Sequence, residues 1–177
     1  MQIGVHYESR CPDSKNFVQD ELKKVYPSIK DQVDITYYPL GKSSSYIKED
    51  GSVGFECQHG KPECDRNMLQ NCALDLIGKA NQDLQTSYII CAMDFSKDQS
   101  KCIEDAGLNV ADAMACFHGP KGIELQLQTE KDSGPIIKRS SFVPTIVYNG
   151  VYNREDFYDS LDDFAKVVRK VARQLNE

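Results

Sequence analysis

Cys11-Pro12-Asp13-Ser14 places a thiol where an alternating apolar segment gives way to a helical one. Only a thiolate attacks a disulfide, and a helix N-terminus lowers a thiol's pKa from about 8.5 by one to several units. Pro12 suits the first helical position because its missing N–H would be unpaired there anyway. Asp13 favours the same end through the helix dipole. Cys11 is therefore the candidate nucleophile, and its polar, turn-forming neighbours Arg10, Pro12 and Asp13 predict a sulfur that is not buried. Ser14, one turn on, is expected to hydrogen-bond that sulfur. The usual redox spacing is Cys-x-x-Cys. With serine at the second position, the attacking sulfur has no resolving partner beside it. A second half-site lies far along the chain, in Val143-Pro144-Thr145. An X–Pro bond adopts the cis form at modest cost. A cis Val143–Pro144 is expected to turn Val143's backbone toward a groove beside Cys11, where an extended substrate adds as a strand.

The remaining cysteines are Cys57, Cys64, Cys72, Cys91, Cys102 and Cys116. Six clustered cysteines and one odd one point to three structural disulfides and one free reactive thiol, with 15 possible connectivities. Oxidised cysteines imply a secretory or endosomal–lysosomal compartment. Cys57, His59 and Cys64 fall within eight residues, but the spacing fits no common zinc pattern. The segment reads as a disulfide-pinned turn, and no metal is expected. A net charge of −6 and a pI near 5.1 argue against nucleic acid or an anionic membrane as a partner. No apolar run approaches the roughly 20 residues that span a bilayer. Met1-Gln2-Ile3 runs straight into a strand, so a targeting segment is expected to lie outside this stretch. No oligomeric state follows from the sequence.

Positioning Cys11 requires a strand before it and a helix after it. Gln2 to Glu8 alternates, with Ile3, Val5 and Tyr7 on one side. Phe17, Val18, Leu22 and Val25 share one face of the following helix, which Pro27 is expected to stop. Val33–Tyr38 is a second strand. Gly41 to Gly54 reads as a polar loop. Helices are predicted over Glu63–Ala80, Leu84–Phe95, Gln99–Ala106, Val110–Phe117 and Gly122–Lys131, with Ser133-Gly134-Pro135 breaking the last. Phe142–Tyr148 is a third strand, Asn149-Gly150 a two-residue turn, and Val151-Tyr152 a short fourth strand. One terminal amphipathic helix carries Phe157, Leu161, Phe164, Val168, Val171 and Leu175. The order β-α-β, helices, β-β-α predicts an α/β, thioredoxin-like fold. At 177 residues it is a single domain (1–177) with a helical, cysteine-rich insertion at 55–131 between the βαβ and ββα halves.

The string Cys57-Gln58-His59-Gly60, then Glu63-Cys64, Asn67 and Cys72, is similar to the signature of the gamma-interferon-inducible lysosomal thiol reductase family. The later cysteines, Val143-Pro144 and Asn149-Gly150 also fall in family order, so the resemblance covers essentially the whole chain. It implies a lysosomal or secreted oxidoreductase that reduces disulfides in protein or peptide substrates, best at acidic pH, without a bound cofactor. Cys11 matches the family's first active-site cysteine. Ser14 stands where the family carries the second, and it cannot displace a mixed disulfide. The chain then depends on an external thiol such as glutathione or cysteine. Two alternatives stay open: a monothiol isomerase resolved by the substrate's own thiol, and a redox-impaired module that keeps the peptide groove. Asp13 and Ser14 both suit a first helical turn, so Ser14 reads as natural rather than as a substitution made to trap an intermediate.

Overall fold

The computed structural model describes residues 1–175. Strand β1 (Gln2–Tyr7) runs beside β2 (Asp34–Pro39) in parallel and beside β5 (Thr145–Tyr148) in antiparallel, giving the order β2-β1-β5. Register is set by Ile3 opposite Ile35 and Val5 opposite Ile146. Ile3, Val5 and Tyr7 are almost wholly buried and share one core with Phe17, Leu22, Ile35, Tyr88 and Phe164. The other face of β1 is covered too. There His6 stacks on Tyr38 at 4.4 Å, and its Nδ1 lies 2.8 Å from Ser133 Oγ. Among the described residues no helix is long and apolar enough to cross a membrane.

The helix after Cys11 comprises α1 (Pro12–Asn16), a π-helical segment Phe17–Leu22 and α2 (Lys23–Ile29). Pro27 lies inside α2 rather than ending it. Tyr26 and Ile29 are both buried, and Tyr26 Oη donates to Asp83 at 2.7 Å, so tertiary contacts carry the helix past the proline. The predicted loop at 41–54 contains a hairpin, β3 (Ser44–Ile47) and β4 (Val53–Glu56). Its strands are mostly exposed, so they lack the apolar alternation by which a strand is read. Gly54 lets the Tyr46 ring lie over the hairpin, since a Cβ there would come within 2.6 Å of the ring's outer end and the half-exposed side chain would have to swing away.

Between β4 and β5 stand α3 (Lys61–Ile77), α4 (Gln82–Ala92), α5 (Gln99–Asp105), α6 (Val110–His118) and α7 (Pro120–Ser140). Helix α7 continues through Gly134-Pro135, where a break was expected. Buried Ser133 and Ile137 flank the proline and hold both sides of it against the core. Cys91–Cys102 ties α4 to α5, and Cys72–Cys116 ties α3 to α6 across 44 residues. Cys57–Cys64 closes the turn into α3. The expected fourth strand is reduced to a single bridge, Tyr148 to Val151, because the chain turns away at once. The expected single terminal helix is two, α8 (Arg154–Asp162) and α9 (Phe164–Gln174). Asp163 breaks the run with extended φ, and its carboxylate caps α9 by accepting from the Lys166 N–H.

Candidate active site

The turn Glu8–Cys11 joins β1 to α1, and the Cys11 N–H donates to the Glu8 carbonyl at 3.3 Å. Cys11 is the N-cap of α1, with φ −75° and ψ 125°, and Pro12 follows in the first turn. It is the free cysteine among the described residues; the other six form the three disulfides. Contrary to the reading from its neighbours, Cys11 is buried, only 7% exposed. The covering group comes from the other end of the chain. Val143 and Pro144 are also buried, their peptide bond is cis, and Cys11 Sγ donates to the Val143 carbonyl at 3.7 Å. Thr145 Oγ1 ties this loop down by donating to Phe142 O at 2.8 Å.

Ser14 does not bond the sulfur. Its side chain is fully buried, and its Oγ accepts from the Glu8 N–H at 3.2 Å. The serine therefore braces the turn that presents Cys11. The turn is held from its far side by residues that local sequence reading did not assign to it. Ser9 N–H donates to Asn67 Oδ1 at 3.0 Å, and Ser9 Oγ donates to Glu63 O at 3.2 Å. Glu8 Oε1 accepts from the Lys42 N–H at 2.7 Å. Glu8 Oε2 is buried without a hydrogen bond and lies 3.3 Å from His59 Nδ1, which in turn lies 2.7 Å from Glu63 Oε2. Burial, with Glu63 adding, pushes the Glu8 carboxyl above its usual pKa against the Lys42 N–H and the His59 charge. His59, Glu63 and Asn67 thus converge on the two residues after β1. Their fixed spacing in the His59-Gly60-x-x-Glu63-x-x-x-Asn67 string was the one signal that could have found them. Glu8, His59 and Glu63 are also the group among the described residues whose donor atoms, all within 4.8 Å of one another, could seat a metal ion. Of the other histidines, His6 is buried, with a pKa lowered to about 4 by desolvation, and His118 is exposed.

A capped thiol facing a cis-proline loop across a β-α junction can do one kind of chemistry. It can exchange with a disulfide. The architecture matches the oxidoreductase DsbA from Xylella fastidiosa over 97% of this chain and 86% of that one, with a TM-score of 0.57 at 18% identity. It also matches DsbA from Proteus mirabilis, crystallised with a non-covalently bound peptide, over 98% and 88%, with a TM-score of 0.59 at 15% identity. The fold is thioredoxin-like, with a free thiol at the junction of β1 and α1.

The particular family follows from sequence. The family model described as Gamma interferon inducible lysosomal thiol reductase (GILT) matches residues 2–107. A gamma-interferon-inducible lysosomal thiol reductase-like protein of Anopheles gambiae is 28% identical over 167 residues, covering 86% of this chain and 69% of that protein. The chain belongs to the GILT family and is a thiol–disulfide oxidoreductase.

Proposed function

We propose that this chain reduces disulfides in extended proteins or peptides through Cys11 alone. The Cys11 thiolate attacks one sulfur of a substrate disulfide, the substrate S–S bond breaks, and the other substrate sulfur leaves as a thiolate that takes a proton from water. The mixed disulfide then waits. An external thiol, glutathione or cysteine, attacks the substrate-side sulfur, and Cys11 leaves as a thiolate. A second external thiol frees the substrate. Val143 and Pro144 supply the edge on which the substrate lies beside Cys11, and a peptide bound to a protein of the same fold supports that reading. Three disulfides and the lysosomal name of the mosquito relative support a lysosomal or secreted site of action. The observation that carries the proposal is the pairing of a free Cys11, in contact with Val143, with a Ser14 whose hydroxyl is turned to the Glu8 N–H.

The test is disulfide reduction at pH 5 and pH 7 with and without glutathione. Turnover is expected to vanish in Cys11→Ser and to rise in proportion to glutathione. It should fall at the lower pH, where the external thiol is mostly protonated, the reverse of the acidic optimum the family resemblance implies for a two-cysteine site. Turnover that persists in Cys11→Ser refutes the proposal.

A further inference from the structure

Arg10, the residue before Cys11, lines a cavity of 420 Å³ together with Arg66 and Asp65 over Leu69, Met114 and Phe117. The two arginines are not neutralised. Among the described residues, no carboxylate lies within 4.0 Å of either guanidinium, and Asp65 is engaged by Lys61. Arg66 is held in place rather than free. Its Nη2 donates to Ala92 O at 2.8 Å, its guanidinium lies 5.3 Å from the centre of the Phe95 ring, and its Nε is buried with no hydrogen-bond partner. Burial, then the charge of Arg10, disfavours the Arg66 cation. Two mutually repelling cations, one with an unused buried donor, are kept together in a chain whose net charge is −6. An anion between them relieves the repulsion and fills the donor. Arginine forks fit carboxylates in particular.

We infer that Arg10 and Arg66 bind the carboxylate of the small thiol that resolves the mixed disulfide on Cys11. This rests on the single-cysteine reading above and names the class of its co-substrate: an anionic thiol. The reach is adequate. Neighbouring Cα atoms such as those of Arg10 and Cys11 lie about 3.8 Å apart, and a tripeptide thiol spans about 10 Å. With its carboxylate in the cavity, the incoming thiol is held next to the mixed disulfide. It attacks the substrate-side sulfur, and the electron pair of the broken S–S bond leaves on Cys11. The bound anion thereby does by proximity what a second cysteine would do by covalent attachment.

The test uses the whole chain carrying a mixed disulfide between Cys11 and 2-mercaptoethanol. Its resolution rate is measured against glutathione, which carries carboxylates, and against 2-mercaptoethanol, which carries none. In Arg10→Gln and in Arg66→Gln, the ratio of the glutathione rate to the mercaptoethanol rate is expected to fall about tenfold, the effect of losing one charge-assisted contact. Arg66→Lys should recover part of it. Arg10 is exposed, so Arg10→Gln remains informative should Arg66→Gln fold poorly. A ratio that stays constant in both glutamine variants overturns the inference. A constant ratio with slower attack of Cys11 on acidic disulfide peptides than on neutral ones assigns the arginines to the substrate, and overturns it as well. If no mixed disulfide forms on Cys11 at all, the single-cysteine reading falls first.

Discussion

At the scale of residues, Ser14 has two roles that pull apart on substitution. Its hydroxyl accepts the Glu8 N–H at 3.2 Å in a fully buried position. A thiol is a weaker acceptor, so Ser14→Cys leaves that N–H poorly paired, at a cost of about 1 kcal/mol. The same substitution puts a resolving sulfur one helical turn from Cys11. The expected result is a small fall in melting temperature together with single-turnover release of the substrate thiol from Cys11 that needs no glutathione, the intramolecular disulfide so formed being reduced by an external dithiol before the next cycle. Thermal unfolding and release of a preformed Cys11 adduct without added thiol read the two effects separately. An adduct that still waits for glutathione in Ser14→Cys would contradict the resolving role.

At the scale of elements, the contact between β1 and α7 rests on a neutral histidine. His6 is buried between Tyr38 and Ser133, with its pKa lowered to about 4 from an ordinary 6.5. The unfolded chain binds that proton more readily than the folded one. His6's contribution is therefore fully present above pH 6.5 and is lost as pH falls toward 4, by up to about 3 kcal/mol. Glu8, with its raised pKa, acts in the opposite sense: its contribution is present below the ordinary carboxylate range and lost as pH rises through the raised value. Denaturant unfolding of the parent chain and of His6→Phe isolates the histidine. The gap between the two curves should widen in favour of the variant from pH 6.5 to pH 4, and a gap independent of pH would contradict the assignment. How much of this was legible in the sequence depends on where the signal sits. The strand, Cys11 and its helix were readable because Ile3, Val5 and Tyr7 alternate and Pro12 marks a first turn. The hairpin at 44–56 was not, because its strands pack too little to need an apolar face. Pro27 and Pro135 misled because buried neighbours on both sides outweigh a lost backbone bond. The burial of Cys11 was hidden because Val143, which covers it, lies 132 residues away.

At the scale of the molecule, two distant segments meet at one sulfur. The strand-to-helix turn carries the free Cys11, the loop with the cis Val143–Pro144 bond lies against it, and the disulfide-stapled segment between them supplies His59, Glu63 and Asn67, which brace the turn, and Arg66, which shares a cavity with Arg10. The central claim is that Cys11 alone carries the chemistry and cannot release its own adduct. The measurement that tests it most directly is peptide mapping by mass spectrometry after brief exposure to a disulfide-bonded peptide and acid quenching. One peptide is expected on Cys11, stable until glutathione or cysteine is added and absent from Cys11→Ser, with Cys57–Cys64, Cys72–Cys116 and Cys91–Cys102 intact. An adduct on any of those six cysteines, or one that leaves Cys11 without an added thiol, would contradict the account.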